Sequence, residues 1–367
     1  MYDDSFLDKK LQERIDKNAL RKLKLPQRKI DFYSNDYLGI VYNNLLVNKI
    51  DEHLKTGSTG SRLLAGNYIL IEETEKQIAD FHKAEAALIF NSGYDANIGV
   101  LSCIPQKDDF ILYDQLCHAS IRDGIRLSFA QSFSFEHNNL SQLEKRLKSI
   151  ADSANNIFIV TESVFSMDGD FCELKTIVDL SKKYKAHVII DEAHATGVVG
   201  EKGEGLVQKE NLQKEIFCRI HTYGKACGVH GAAVLGSQKL KDYLINFARS
   251  FIYTTALPEH AVAAVSASYK TFPFLCDERK QLHQLIDHFQ KAELKFQKLI
   301  SETPIQIVII PGNDVVKEIA EKLQNADIDV RPILYPTVPA GKERLRIVLH
   351  SFNTLEEIQR LIKILSN

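Results

Sequence analysis

Residues 187–197 read HVIIDEAHATG. The β-branched run Val188-Ile189-Ile190 has the character of a buried strand, yet it runs straight into Asp191 and Glu192 and, two positions on, His194. A short apolar run closed by polar residues is what a fully buried parallel strand shows. Carboxylates at its end are costly to desolvate and call for a charged partner. In parallel α/β sheets ligands gather at the carboxyl ends of strands. The stretch therefore points to an α/β sheet with a ligand at its edge.

Strands and helices alternate on both sides of this stretch. Candidate strands are AALIF (86–90), FILY (110–113), SFSFE (132–136), IFIVTE (157–162), HVIID (187–191), CRIHT (218–222) and GAAVLG (231–236), with helical patterns between most of them, as at 172–186. This predicts a doubly wound α/β domain with a largely parallel sheet. Upstream lie a helical pattern over 3–22, the turn-rich KIDFYSNDYLG (29–39), and the glycine-rich TGSTGSRLLAGN (56–67), which leads into the amphipathic ILIEETEKQIADFHKA (69–84). Beyond residue 256 the pattern changes to helices over 258–275 and 278–302, strands IQIVII and RLRIVL, and helices over 314–325 and 354–365. The expected organisation is an N-terminal segment (1–45), a large α/β domain (46–255) and a small α+β domain (256–367).

Gross composition narrows the function. The chain has 367 residues, 44% hydrophobic and 26% charged, as in ordinary globular proteins. Lys and Arg number 46 against 48 Asp and Glu, a net charge of −2, so no electrostatic case exists for wrapping nucleic acid or docking on an anionic membrane. No apolar run approaches the roughly 18–20 residues of a membrane span, and MYDDSFLDKK lacks the features of a secretory signal. Cys103, Cys117, Cys172, Cys218, Cys227 and Cys276 are scattered without metal-ligand spacing. A cytoplasmic protein with reduced thiols and no metal is expected.

Two chemistries would place an acid at a strand end. In a DEAH-type ATPase the Asp would hold a metal beside phosphates, but that needs an upstream GxxxxGK[ST] cradle, and the nearest match, Gly224-Lys225, continues Ala226-Cys227 and lies downstream. No GxGxxG follows the first strand either. In a pyridoxal-phosphate enzyme the Asp would hold a proton on the ring nitrogen. HTYGKACG (221–228) supplies a lysine in a strand-to-loop turn among small residues, and a lysine in such a pocket can form an imine with an aldehyde. The cofactor has three handles, its aldehyde, ring nitrogen and phosphate. Lys225 and Asp191 can take the first two. For phosphate, the strand-to-helix turn IFNSGYDANIG (89–99) offers helix N-terminal amides, and Thr222 a hydroxyl. Each feature has an ordinary structural reading; their joint occurrence on one α/β scaffold argues for the cofactor.

The motifs SNDYLG (34–39), TGSRLLAGN (59–67), NSGYDAN (91–97), DQLCHASI (114–121), TESVFSMDGD (161–170), DEAHATG (191–197), HTYGKACG (221–228) and PTVPAGKERLRI (336–347), in this order, resemble the α-oxoamine synthases. These are fold-type I pyridoxal-phosphate enzymes that condense an amino acid with an acyl thioester and release CO2. TGSRLLAGN and PTVP favour the branch that joins L-alanine to a pimeloyl thioester, from CoA or an acyl-carrier protein, to give 8-amino-7-oxononanoate in biotin biosynthesis. Glycine C-acetyltransferase, 5-aminolevulinate synthase and sphingoid-base synthases are the nearest alternatives.

The resemblance implies a role for each matching residue. Lys225 is the Schiff-base lysine and proton shuttle, Asp191 pairs with the pyridinium nitrogen, His194 bonds the phenolic oxygen, and His118 stacks on the ring. Ser166 lies near the ring, while Gly93, Tyr94 and Thr222 hold the phosphate. Thr254 of FIYTTALP matches a phosphate contact supplied by a neighbouring subunit, which implies a homodimer with shared sites. Asn35 and Arg346 match residues near the amino-acid carboxylate, for which a bidentate arginine is suited, with Arg344 a nearby competitor. Arg21 and Thr337 would face the acyl substrate. Several relatives carry an arginine where this chain has Leu334, with Arg331 three residues earlier.

Overall fold

The seven strands expected from the alternation form one sheet: β1 (Ala86–Phe90), β2 (Phe110–Asp114), β3 (Gln131–Phe135), β4 (Ile157–Glu162), β5 (His187–Asp191), β6 (Cys218–Thr222) and β7 (Ala232–Gly236). The computed structural model describes every residue except 1, 24, 26, 27, 52 and 367. Strand order is β1-β7-β6-β5-β4-β2-β3. The pairs from β3 to β6 are parallel, whereas β7 runs antiparallel to both β6 and β1. The short loop 223–231 between β6 and β7 has no room for the helical crossover a parallel return requires, so the chain doubles back. Every residue of β4 is buried, as are the last four of β5, which accounts for their unbroken apolar runs.

Register decides where the chemistry collects. Glu162 pairs with Asp191, and Asp191 with Ile220, so the carboxyl ends of β4, β5 and β6 finish side by side. The helix Gly93–Cys103 begins directly after β1. Ser92 caps it by accepting the Asp95 amide at 3.1 Å, while its hydroxyl donates to the Asp95 carboxylate at 2.8 Å.

Two compact units are present: a larger one of Asp36–Ser166 and Phe171–Arg279, and a smaller one of Met1–Asn35, Met167–Asp170 and Lys280–Asn367. The helix Glu259–Tyr269, which the sequence segments grouped with the C-terminal part, lies in the larger unit. There Ser266 donates to Gln77 Oε1 at 2.7 Å and its carbonyl accepts from Gln77 Nε2 at 3.2 Å. In the smaller unit a four-stranded antiparallel sheet runs Arg331–Ile333, Arg344–Val348, Ile305–Ile309, Gln297–Lys298. Ile30–Asp31 pairs with Ile328–Asp329, and the helices Asn313–Asn325 and Leu355–Ser366 follow the expected pattern.

Three helices are shorter than their apolar spacing suggests. The pattern over 3–22 is helical only as a 3-10 turn, Ser5–Leu7, followed by Asp8–Asp16. The pattern over 258–275 ends at Tyr269 and gives way to a 3-10 turn holding Pro273, which has no amide to continue the ladder. The pattern over 278–302 ends at Lys291, and residues 297–298 join the small sheet instead. Lys298 Nζ donates to the carbonyls of Phe289, Gln290 and Ala292, each at 2.8 Å, satisfying the helix end with a cation.

Candidate active site

Asp191 closes β5 with its carboxylate buried and clamped. Oδ1 accepts the Ala193 amide at 2.8 Å and Oδ2 accepts Asn97 Nδ2 at 2.8 Å. The same Asn97 nitrogen reaches Ser120 Oγ at 3.1 Å, and that hydroxyl lies 2.8 Å from His118 Nδ1. A chain of polar contacts thus links the acid of DEAH to the histidine of DQLCHAS. His118 is the N-cap of the helix Ala119–Arg126, and its backbone amide donates to Glu162 at the end of β4. Sequence reasoning missed Asn97, Ser120 and Glu162. A signal existed for Asn97: it stands one turn beyond Gly93, a polar residue among the buried Ala96, Val100 and Leu101.

Electrostatics bring Lys225 to the same place. The His118 imidazole is held below its usual range by partial desolvation and by the Lys225 ammonium, against the pull of Asp191. Glu162 is pushed up to about 8 by burial and by Asp191, while Lys225 acts to lower it. Asp191 and Lys225, 34 positions apart, therefore act on the same imidazole and the same carboxyl. On the turn after β5, the His194 Nδ1 lies 2.6 Å from the hydroxyl of Tyr37, and both residues are buried. Tyr37 belongs to SNDYLG and orients the imidazole, a partner not singled out from sequence. Cys227 is fully buried and its thiol is pushed up to about 12 by desolvation, so it is inert.

A corner suited to phosphate lies where the helix Gly93–Cys103 meets the end of β6. Among the described residues the Thr222 Oγ1 is buried with no hydrogen-bond partner. A Cβ added at Gly93 would sit 2.4 Å from Thr222 Cγ2, so only glycine lets the helix start this close. An orphaned hydroxyl beside a helix N-terminus matches the needs of an oxyanion. Tyr94 turns its hydroxyl away, donating to Asp123 at 2.7 Å, and leaves its ring exposed. Thr254 Oγ1 accepts from Asn91 Nδ2 at 3.1 Å within this chain. Ser166 is buried at the end of its segment of the larger unit.

In the smaller unit the expected substrate residues meet in pairs. Arg346 Nη2 donates to Asn35 Oδ1 at 3.0 Å, and Arg21 Nη2 to Thr337 Oγ1 at 3.3 Å. Arg344 is spent elsewhere: it is buried in an ion pair with Asp168 and donates to the Met167 carbonyl at 2.9 Å. Half-buried Arg346 is thus the better placed of the two for a ligand carboxylate. Arg331 pairs with Asp329 at 2.9 Å and lies 4.9 Å over the Tyr33 ring.

The sequence profile of the aminotransferase class I and II family matches residues 27–365. The chain belongs to that family. Within it, an 8-amino-7-oxononanoate synthase of Emericella nidulans is 40% identical, covering 96% of this chain and 92% of its own length. Among solved structures, the 8-amino-7-oxononanoate synthase from Francisella tularensis superposes with a TM-score of 0.76 at 32% identity, covering 92% of this chain and 97% of that one. The serine palmitoyltransferase of Sphingomonas wittichii reaches 0.89 at 25% identity, covering 99% and 96%. The architecture of this aminotransferase class I and II chain is that of fold-type I transferases, as the sequence resemblance implied. The Asp of DEAH here closes a sheet strand and acts with Lys225 on the same imidazole.

Proposed function

We propose that the chain condenses L-alanine with a pimeloyl thioester, releasing CO2 and the thiol carrier, to give 8-amino-7-oxononanoate in biotin biosynthesis, with pyridoxal 5'-phosphate as cofactor. The observation that carries this reading is the convergence of Asp191 and Lys225 on His118, with the orphaned Thr222 hydroxyl beside Gly93 at the end of the next strand. The 40% identity to an 8-amino-7-oxononanoate synthase over nearly the whole chain supports it against the glycine and sphingoid-base branches.

Bound pyridoxal phosphate supplies an electron sink for the pair released at the substrate Cα. Lys225 would anchor its aldehyde and, once displaced by the amino acid, take and return the proton at Cα. Asp191, held by the Ala193 amide and Asn97, would keep a proton on the ring nitrogen. His194, oriented by Tyr37, would bond the phenolic oxygen. His118 would stack on the ring and exclude water, with Ser166 beside it. The amides of Gly93 and Tyr94 and the Thr222 hydroxyl would hold the phosphate. Arg346 and Asn35 would receive the alanine carboxylate, and Arg21 and Thr337 the acyl chain.

The working unit is a homodimer in this reading, with Thr254 serving the phosphate of the neighbouring subunit. Leu63, Leu64 and Ile69, around TGSRLLAGN, are exposed at 51%, 83% and 76%, an apolar surface that a second copy would cover. Among the described residues no helix is long and apolar enough to cross a membrane, and all six cysteines are unpaired. Both fit a cytoplasmic enzyme.

The test is product mass after incubating holoenzyme with L-alanine and pimeloyl-CoA or pimeloyl-acyl-carrier protein, with glycine, serine and shorter or longer acyl-CoA donors in parallel. 8-Amino-7-oxononanoate is expected, and comparing the two pimeloyl donors identifies the carrier. Turnover confined to glycine or serine with another donor would move the chain to a neighbouring branch. Lys225→Ala should abolish both turnover and the borohydride-trapped cofactor adduct.

A further inference from the structure

Behind Asp191 lies a second buried polar group. Glu192, His221 and His82 are completely buried, and Arg219, Thr196 and Tyr269 nearly so. The Thr196 hydroxyl has one proton, and its 2.7 Å bond to the Glu192 carbonyl requires that proton, since a carbonyl can only accept. Thr196 Oγ1 must then accept from His221 Nδ1, 2.8 Å away. In the neutral ring this leaves a lone pair on His221 Nε2, facing Glu192 Oε2 at 3.5 Å. The other oxygen, Glu192 Oε1, is occupied by the Leu206 and Val207 amides at 2.6 and 3.1 Å. Two acceptors facing each other inside a protein need a proton between them.

We propose that Glu192 carries that proton on Oε2 and is a positioning residue: Glu192, His221, Thr196 and the Glu192 carbonyl form a one-directional hydrogen-bond ring that fixes the turn bearing Asp191 and His194. Gly205 supports the geometry, because a Cβ there would lie 2.5 Å from Glu192 Oε2 and expel the carboxyl. The groups that face the ring agree with this charge state. Burial, opposed by the Leu206 and Val207 amides and by Arg219 and aided by Asp191, raises Glu192 to about 7. Burial and Arg219 hold His221 well below its usual range, and burial, His221 and Arg219 do the same for His82. Arg219 donates Nη2 to the His82 carbonyl at 2.9 Å, and among the described residues its Nη1 has no partner, so it acts on Glu192 through its field. Tyr269 meets His82 Nε2 at 2.9 Å.

The role toward Asp191 rests on the proposed function; the proton does not. Glu192→Gln replaces the protonated acid with a neutral group whose amide can donate to His221 and whose oxygen can accept the two backbone amides. Because Glu192 has a folded pKa above its unfolded value, wild-type stability is full below about 4.5 and falls as pH rises through about 7. Measured on holoenzyme, the melting temperature of E192Q relative to wild type should rise by about 2 °C or more between pH 5.5 and pH 8.5. The pH midpoint of the bound cofactor's visible band should be unchanged. A constant offset between the two melting curves across pH would overturn the proton assignment. Separated curves with a shifted band midpoint would overturn the positioning role alone. Thr196→Val serves if E192Q does not fold: it breaks the ring beside an intact Glu192, so its loss of melting temperature should be larger at pH 5.5 than at pH 8.5. Equal losses at both would sink the ring.

Discussion

Asn97→Leu tests the clamp on Asp191 while keeping the branching and the number of heavy side-chain atoms. Asn97 is 2% exposed and its Nδ2 donates to Asp191 Oδ2 at 2.8 Å and to Ser120 Oγ at 3.1 Å. Leucine fills the space, removes both bonds, and leaves Oδ2 in the same dry surroundings without a donor. A hydrogen bond to a charged group is worth about 1.5–3 kcal/mol, which at 1.36 kcal/mol per decade is roughly a 10- to 150-fold effect. Asp191 would remain, held only by the Ala193 amide and less firmly oriented for keeping a proton on the ring nitrogen. The assays are absorbance titration of apoprotein with pyridoxal phosphate and, without acyl donor, exchange of the L-alanine Cα proton in D2O followed by NMR. Weaker cofactor binding and exchange slowed by at least tenfold are expected, with the fold retained. Cofactor affinity within twofold of wild type, together with normal exchange, would show that Asp191 needs no orienting donor.

Other perturbations probe the remaining corners. Gly93→Ala places a Cβ 2.4 Å from Thr222 Cγ2 and should cost about 1–3 kcal/mol of cofactor binding; unchanged affinity would remove this corner from the phosphate site. Arg346→Lys keeps the charge but loses the planar fork, so the KM for L-alanine should rise about tenfold with less effect on kcat; an unaltered KM would return the carboxylate to another residue. Burial and Asp191 push Glu162 up to about 8, above the ordinary 4.5 of an unfolded chain, so its stabilising contribution is full below about 4.5 and is lost as pH rises through about 8. Glu162→Gln should flatten the alkaline arm of the holoenzyme melting curve, and parallel curves would mean that Glu162 is ionised throughout.

Strands were legible because their signal is local. HVIID and IFIVTE are apolar on both faces, and only a sheet covered by helices on both sides buries such runs. Helix ends were less legible because distant groups set them: nothing in the spacing of 278–302 announces that Lys298 will fold back onto three carbonyls. The same division holds in the site. Lys225, Asp191 and His194 stand out as chemical residue types at strand ends, and Arg346 with Asn35 came with the motifs. Asn97, Tyr37 and Glu162 did not, since each matters only through a neighbour distant in the sequence: Asp191, His194 and the His118 amide. The motifs already favoured Arg346 over its neighbour Arg344, and the structure adds the reason Arg344 does not compete: it is committed to Asp168.

The acidic strand end at 187–192 is more crowded than its own residues suggest. Glu162 and Asp191 are register partners on β4 and β5, and Glu192 follows directly, all three buried. Three ionised carboxyls packed so closely in a low-dielectric edge would repel one another far beyond what one lysine could offset. The structure divides them by what each can bond. Asp191 has an N–H donor on each of its two oxygens, and it acts together with Lys225 on His118 and Glu162. Glu162 and Glu192 are both raised, to about 8 and about 7, with burial the leading cause. Glu192 has the acceptor His221 Nε2 facing its free oxygen. Below about pH 7 both flanking carboxyls are then mostly protonated, which leaves Asp191, the carboxyl proposed to meet the cofactor, without a second charge beside it.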